Sequence, residues 1–337
     1  MDAADAIETQ ARSLGFGHFR VAPVQVKAPH AQAFVDWLEA GHHAEMDYMR
    51  RGAPERIDPS LRLATARSAL VLAAEHGHAR PPDPGGLTGK VARYAWGRDY
   101  HNLLGKRLKK FTKWLRAQGI AAWGGIDTAP ILERAWANAS GLGYSGKNAV
   151  QILPAKGSYL LLAVVFVDLE LTPTPPLGRD HCGSCRRCLD ACPTQAFVGP
   201  HVLDARRCLS FHNIESRAAI PKALRAPMGR WVFGCDVCQE VCPHNVSPTD
   251  PLHQDFAPKN AWLDLEWVLQ ATPDQINTTL AGTPLRRPGP IGLKRNAAVV
   301  LGNLKQPAAI PLLRPFAENA DSMLAEHAKW ALEQLGG

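Results

Sequence analysis

The segment Cys182-Gly-Ser-Cys185-Arg-Arg-Cys188-Leu-Asp-Ala-Cys192-Pro193 has the C-x2-C-x2-C-x3-C-P spacing of a bacterial two-cluster iron-sulfur run. In such a run three cysteines bind one cubane, and the fourth, before proline, reaches across to a second. A looser copy follows as Cys208 and then Cys235-Asp-Val-Cys238-Gln-Glu-Val-Cys242-Pro243. Reciprocal pairing assigns Cys182, Cys185, Cys188 and Cys242 to one [4Fe-4S] cluster, and Cys192, Cys208, Cys235 and Cys238 to the other. Zinc also takes four-cysteine sites, but zinc ribbons favour separated C-x2-C pairs over three cysteines in close succession before Cys-Pro. All eight cysteines of the chain are used as ligands, so both clusters are expected to carry electrons with no iron left open to substrate.

Working outward, Pro173-Thr-Pro-Pro176 reads as a stiff linker ahead of this module. Before it, the apolar spacing from Ala4 to Leu14 is helical, Arg67 to Ala74 reads as a buried strand, and a Pro/Gly loop spans Pro81 to Gly89. A helix is expected over about Leu103 to Gln118. Another is expected over Ile131 to Ser140, started by Asp127-Thr-Ala-Pro130. The continuous apolar run Ser158 to Asp168 suits a strand buried on both faces. After about Pro251 helical periodicity returns, with Leu293, Ala297, Leu301 and Leu304 on one face, then Ala308 to Ala317 and Met323 to Leu335. The expected fold class is a mixed α+β or α/β multi-domain protein: an α/β domain over residues 1–172, a ferredoxin-like two-cluster module over 173–250, and a helical, HEAT-like domain over 251–337.

With 46% hydrophobic and 20% charged residues in 337, the chain has an ordinary globular composition, long enough for two or three domains. The early acids Asp2, Asp5 and Glu8 do not suit a signal peptide, and no stretch approaches the about 18 apolar residues of a membrane span. The chain is therefore expected in the cytosol, where clustered thiols hold metal and do not pair as disulfides. The formal charge of +7 fits a polyanionic partner or an ordinary solvated basic surface.

Gly141-Leu-Gly143-Tyr-Ser-Gly146 matches the dinucleotide fingerprint G-x-G-x-x-G, with Asp168 at a suitable distance to hold a ribose. That fingerprint needs a strand before and a helix after. Here a helix precedes and a strand-like Lys147 to Pro154 follows. A nicotinamide site is not expected, which leaves a tight glycine turn beside some other large ligand.

Several stretches in order resemble the epoxyqueuosine reductases, relatives of the reductive dehalogenases. They are Ala92-Arg-Tyr-Ala-Trp-Gly-Arg-Asp-Tyr-His101, Asp127-Thr-Ala-Pro-Ile-Leu-Glu-Arg134, Gly141-Leu-Gly-Tyr-Ser-Gly-Lys-Asn148 and the double cysteine run. Asp204-Ala-Arg-Arg-Cys208, Ile220-Pro-Lys-Ala-Leu-Arg225, Gly234-Cys-Asp-Val-Cys-Gln239 and Leu293-Lys-Arg-Asn-Ala-Ala298 extend the match over nearly the whole chain. The resemblance implies two [4Fe-4S] clusters and cobalamin, used to remove the epoxide oxygen of epoxyqueuosine at the tRNA wobble position. The known cobalamin lower-ligand motif D-x-H-x-x-G is not met: Asp99-Tyr-His101-Asn-Leu-Leu-Gly105 has one residue too many, so His101 is not assigned to cobalt. A corrinoid pocket is implied in the α/β domain, with Arg56, Asp127, Gln151, Ser158 and Ser210 as candidate contacts. Each of these could equally be an ordinary turn or surface residue.

Epoxide removal takes two electrons and two protons, with the oxygen leaving as water. The resemblance makes Asp127 the proton donor, and burial beside a bulky cofactor would raise its pKa. An Asp three residues before Pro130 could also simply cap a helix. Tyr100 and His101 are candidates to orient substrate or relay protons. For the tRNA, Arg286, Arg287, Lys294 and Arg295 bracket a Pro/Gly turn and a helix start, and Lys222 and Arg225 lie near the clusters. An external low-potential electron donor and a monomeric state are expected. The competing readings are a ferredoxin-type electron carrier, which would hold clusters and ignore tRNA, and a corrinoid dehalogenase, which would usually carry an export signal.

Overall fold

Two eight-residue strands, Ser68–Glu75 and Leu160–Val167, form the centre of the first core, and their sequences explain why. Both are runs of Leu, Val and Ala that alternate between two buried faces. Leu70, Leu72, Ala163, Val165 and Val167 point to one side. Ala69, Val71, Ala73, Val164 and Phe166 point to the other. A strand with no polar face must be covered by helices on both sides. Helices Ala3–Ser13 and Tyr100–Ala117 cover the first face through Ile7, Ala11, Leu108 and Phe111. Helix Glu133–Ala139 covers the second through Trp136 and Ala137.

The sheet order is His18–Pro23, Ser68–Glu75, Leu160–Val167, Ala122–Gly125, and every neighbouring pair is antiparallel. The α/β alternative is thereby corrected to a three-layer α+β arrangement. The structure, a computed structural model, describes residues 3–25, 28–178, 180–245, 254–318 and 320–336. Among the described residues no helix is long and apolar enough to cross a membrane.

Pro173 to Pro176 is docked, not loose. Thr174 and Val21 exchange hydrogen bonds along the outer edge of the sheet, 2.9 Å from Thr174 N to Val21 O and 3.1 Å from Val21 N to Thr174 Oγ1. The glycine turn after helix Glu133–Ala139 packs against the same segment. A Cβ on Gly141, whose φ is +72°, would stand 2.2 Å from Pro175 O. One on Gly143 would stand 2.1 Å from Ile152 O, in the small hairpin Tyr144–Ser145/Gln151–Ile152. The glycines at 141 and 143 thus serve close approaches within the protein, with a helix before and a hairpin after, as a dinucleotide fold would not have.

A second core joins distant parts of the chain. Strand Thr88–Val91, hidden at the end of the expected Pro/Gly loop, lies between Trp231–Phe233, which runs parallel to it, and Trp262–Asp264, which runs antiparallel. Val91 and Trp96 share one apolar cluster with Leu209, Phe233, Leu263, Leu293 and Leu301. Helices Leu265–Gln270, Pro273–Thr279, Gly289–Leu304, Ile310–Ala317 and Ser322–Leu335 close it. The 250/251 domain boundary itself lies outside the described residues, but this core takes residues from both sides of it.

A buried polar hub fixes the junction. Asn213 Nδ2 donates to Trp231 O and Gly234 O, and its Oδ1 accepts from Gly234 N. Asn296 donates to Asn213 O and Val232 O. Arg295 is 0% exposed and donates to His212 O, Ser216 O and Ala218 O. The expectation that Arg295 meets phosphate is therefore corrected: three backbone carbonyls of the turn after Cys208 hold its guanidinium away from solvent. Arg225, 1% exposed, is likewise committed internally, to Ile220 O and to Glu326. Replacing Arg295 with Ala strands those carbonyls, each costing about 1–3 kcal/mol. The expected loss of stability is about 3–5 kcal/mol, read as a lowered urea midpoint. A midpoint within experimental scatter of the wild type would show that the hub is dispensable.

Candidate active site and cluster ligands

Asp127 does not cap a helix. The following helix starts only at Glu133, with Leu132 at its cap position and no side-chain cap. Asp127 instead has φ +45°, a left-handed conformation that Asp tolerates better than most residues. This turn aims its carboxylate at the start of helix Tyr100–Ala117. That helix begins three residues earlier than its apolar spacing suggests, because Asp99 caps it by accepting from His101 N. The cap fixes Tyr100 and His101 side by side, with rings stacked 4.0 Å apart. Tyr100 Oη donates to Asp127 Oδ2 at 2.6 Å, and His101 Nε2 lies 2.8 Å from the same oxygen. His101 Nδ1 is held at 2.8 Å by Asp99.

The charges follow from these contacts. Burial pushes the Asp127 carboxyl up, but hydrogen bonds from His101 and Tyr100 outweigh it and hold the pKa below the usual carboxylate range. The raised pKa expected for Asp127 depends on a bulky cofactor packed beside it, and the chain's own residues push the other way. His101 is the partner that gains: burial pulls it down, while hydrogen bonds to Asp127 and Asp99 lift it to about 9. At neutral pH the pair is a carboxylate and an imidazolium, and the transferable proton is on the imidazole. The side chain of Asp127 is still 56% exposed, so its free oxygen faces outward to an incoming group. Arg287, across the mouth, adds to the positive field on Asp127 and is itself held by Glu215 at 2.8 Å.

The other candidate contacts separate into two kinds. Arg56 is buried, its Nη1 donates to Ile131 O at 3.0 Å, and its Nε has no partner among the described residues. Gln151 donates to Leu142 O at 2.7 Å while its Oε1 is buried and unpartnered. Ser158 and Ser210 make their side-chain hydrogen bonds within the protein. The Ser158 hydroxyl donates to Gln239 Oε1 and accepts from Asn245, tying the end of a sheet strand to the second cysteine segment. Ser210 offers its N–H and hydroxyl to the Cys208 sulfur, where they oppose the upward push of burial. Three further buried atoms without a partner among the described residues stand on helix Glu133–Ala139: Glu133 Oε1, Trp136 Nε1 and Asn138 Oδ1. Burial raises Glu133 to about 8, so it is neutral and able to donate at pH 7. Sequence reasoning missed it, since no residue pattern marks a glutamate in the first turn of a helix as buried.

The eight cysteines are free thiols in two groups. Cys188 has Cys182 and Cys242 as electrostatic neighbours, and Cys242 has Cys182 and Cys185. Cys235 has Cys208 and Cys192. These neighbours suit the interleaved grouping of reciprocal ligation, and Cys238, with Cys235 and Cys208 beside it, also has Cys188 near it from the other group. Backbone N–H groups point at the sulfurs, from Ala196 to Cys192 at 3.3 Å, from Val237 to Cys235 and from His244 to Cys242. Donors of this kind suit thiolates bound to iron. The first group borders a cavity with Lys147, His181 and His244, and the second lies deeper in that Cys208, Cys235 and Cys238 are surrounded by more protein. Beside the deeper group, the buried Asp236 accepts from Arg93 N at 2.8 Å, and Arg80 and Arg93 bind Glu240 at 3.3 and 2.9 Å.

Comparison with known proteins accounts for both halves of this arrangement. A 4Fe-4S double cluster binding domain matches residues 181–245, and the family described as epoxyqueuosine reductase QueG, DUF1730 matches residues 56–128. An epoxyqueuosine reductase of Pseudomonas aeruginosa is 38% identical over 99% of this chain and 94% of its own length. The chain belongs to the epoxyqueuosine reductase family. A Synechocystis family member is 40% identical over 79% of the chain and 93% of its own. A solved epoxyqueuosine reductase bound to an epoxyqueuosine-modified tRNA stem loop superposes with a TM-score of 0.91 at 28% identity, covering 99% of this chain and 90% of that one. The family member from Streptococcus thermophilus gives 0.88 at 29% identity, with the same coverage of both chains. The chain is thus an iron-sulfur oxidoreductase of a tRNA-modifying family, and its two cysteine groups lie within the matched double-cluster domain.

Proposed function

We propose that this protein reduces the epoxide of epoxyqueuosine at the wobble position of tRNA to give queuosine, with electrons passing through two [4Fe-4S] clusters to cobalamin. The observation that carries the reading is the ionised Asp127 held between Tyr100 and His101 at an exposed mouth. Opening an epoxide develops negative charge on oxygen, and a proton must arrive there. His101 Nε2 holds that proton against Asp127 Oδ2; the carboxylate can take it up, leaving a neutral imidazole, and then donate it to the developing alkoxide, which returns Asp127 to its ionised form. The stacked Tyr100 ring keeps the imidazole in place.

A corrinoid, when bound, supplies a metal centre that collects single electrons and delivers them to the carbon–oxygen bond. The unpartnered buried atoms of Arg56, Glu133, Asn138 and Gln151 suit a large ligand rich in amides, and we assign them to hold it. Cys182, Cys185, Cys188 and Cys242 would ligate the cluster nearer the surface, where an external low-potential donor enters. Cys192, Cys208, Cys235 and Cys238 would ligate the deeper one. A tRNA substrate makes the reaction cytoplasmic, and we expect the protein to act as a monomer.

For the RNA, Lys222, Arg286 and Arg287 are exposed, and Lys294 is half-buried with its ammonium on Leu269 O at 2.8 Å. Reversing the charge of Arg286 and Arg287 is expected to weaken tRNA binding and to reduce the dependence of log K on log salt by about one for each phosphate no longer neutralised. Unchanged affinity and slope would place the RNA on another surface.

The function is tested by anaerobic reconstitution with iron, sulfide and cobalamin, then removal of excess and assay on epoxyqueuosine-containing tRNA. Retention of about eight irons and one cobalt, as two cubanes and one corrinoid require, together with tRNA deoxygenation, supports the reductase. Full iron without retained cobalt or turnover would favour the electron-carrier reading, and retained cobalt with activity only on small organohalides would favour a dehalogenase.

A further inference from the structure

Helix Tyr100–Ala117 buries Leu103, Leu104, Leu108, Phe111 and Leu115 against the central sheet and turns its other side to solvent. That side carries Lys106, Lys109, Lys110, Lys113 and Arg116, all exposed. At 3.6 residues per turn these five fall within an arc of about 120°. The helix contains no Asp or Glu along its 18 residues. Among the described residues the four lysines have no ion-pair partner, and Arg116 is turned to Ala122 O. Some exposed cations elsewhere are paired with acids, as Arg12 with Glu8, Arg62 with Glu55 and Arg186 with Asp190. Like charges at i,i+3 and i,i+4 repel, so the stripe is destabilising to the helix on its own. Its five positive charges are most of the size of the chain's formal net charge of +7.

The first turn of this helix holds Tyr100 and His101 against Asp127. From His101 the stripe starts about 7.5 Å along the axis at Lys106 and ends about 22 Å along at Arg116, at 1.5 Å per residue. A polyanionic strand with one nucleotide in the site would therefore have phosphates leading out along it. We propose that this face is a second RNA-binding surface, which takes the phosphate backbone of the tRNA beyond the loop that enters the active site. The proposal rests on the tRNA reading above. Lysines are flexible point charges without a fixed fork, so they position a backbone and read no sequence. The surface adds affinity and orientation, and base choice is left to the site itself.

The test compares wild type with K106E/K109E/K110E/K113E on two probes, whole tRNA and an oligonucleotide of the anticodon loop alone. The expected result is an affinity for whole tRNA lower by about tenfold or more at low salt, with a salt slope shallower by about one per lysine engaged. Affinity for the loop oligonucleotide should be equal in the two proteins. Turnover should show a raised KM for whole tRNA with kcat retained, since none of the four residues touches Asp127 or its partners. Cluster absorbance and the thermal transition check the fold, and the pairs K106E/K110E and K109E/K113E replace the quadruple variant if it fails to fold. Glutamine at the same positions separates the removal of attraction from added repulsion. Equal affinity and slope for whole tRNA overturn the proposal, as does a defect seen only in the rate at which an acidic electron-carrier protein reduces the clusters. A wild type that ignores tRNA altogether overturns the tRNA reading, and this surface with it.

Discussion

Asp127→Asn is expected to lower turnover by about a hundred- to ten-thousand-fold, the usual worth of a positioned proton donor, with cluster absorbance and cobalamin retention unchanged. Asparagine keeps the size and can still accept from Tyr100, but it carries no charge. His101 then loses the charged partner that does most to lift its pKa, leaving Asp99 as the one carboxylate to oppose burial. The pH profile therefore distinguishes a proton store from a merely structural aspartate. In the wild type the protonated pair is the active form, so activity should fall as pH rises through about 9, where His101 loses its proton. In the variant the residual activity should fall at lower pH. On the acid side, Asp127 is depressed below the ordinary carboxylate range, so activity should survive into mild acid.

The stability contribution has the same sign as the activity limb. A histidine raised from 6.5 to about 9 stabilises fully below its unfolded pKa, and that contribution is lost as pH climbs toward 9. Because the pair titrates together, the limb belongs to Asp127 and His101 jointly. Full activity in Asp127→Asn would remove the carboxylate from the mechanism. A basic limb that stays near 9 in the variant would show that His101 is not the reservoir.

What could be read without coordinates was whatever leaves a local trace. The cysteine spacing is local, so a double-cluster domain was legible from Cys182 to Cys242. The apolar runs at 68–75 and 158–168 are local too, and their lack of a polar face demanded helices on both sides. Strand direction is not local, and the antiparallel pairing of these runs had no signature. The short strand Thr88–Val91 escaped because Thr-Gly-Lys-Val has neither length nor alternation, and only its partners at 231–233 and 262–264 make it a strand. Arg295 shows the limit most sharply. An arginine at a helix start beside Pro and Gly reads as a phosphate contact, and the carbonyls that bury it come from residues 212 to 218, far away in sequence. Asp127 was singled out by resemblance, but the hydrogen bonds that hold its pKa down left no trace in the sequence, because His101 and Tyr100 reach it from another element. The lysines on helix Tyr100–Ala117 were visible throughout, and only their position beside His101 gives them meaning.

The interleaved grouping of the cysteines makes a prediction that separates it from ligation in chain order. If Cys192 belongs with Cys208, Cys235 and Cys238, the double variant Cys192→Ala/Cys208→Ala strips two ligands from one cluster and none from the other. About four of eight irons should then remain, as one intact cubane. The double variant Cys182→Ala/Cys192→Ala takes one ligand from each cluster, so both are compromised. Ligation in chain order, with Cys182 to Cys192 holding one cluster and Cys208 to Cys242 the other, gives the reverse: the first variant damages both clusters and the second only one. Iron content with low-temperature paramagnetic resonance of the reduced protein reads the difference directly. The proximity of Cys242 to Cys182 and Cys185, and of Cys192 to Cys235, favours the interleaved outcome. The grouping also dictates what each loss does to electron flow. Without the Cys208 group the surface cluster should still accept electrons from an external reductant, because its four ligands and the cavity beside it are intact. It would have no inner cluster to pass them to, so reduction of the protein should persist while tRNA turnover stops. A first variant that keeps turnover would show that the deeper group is not on the electron path.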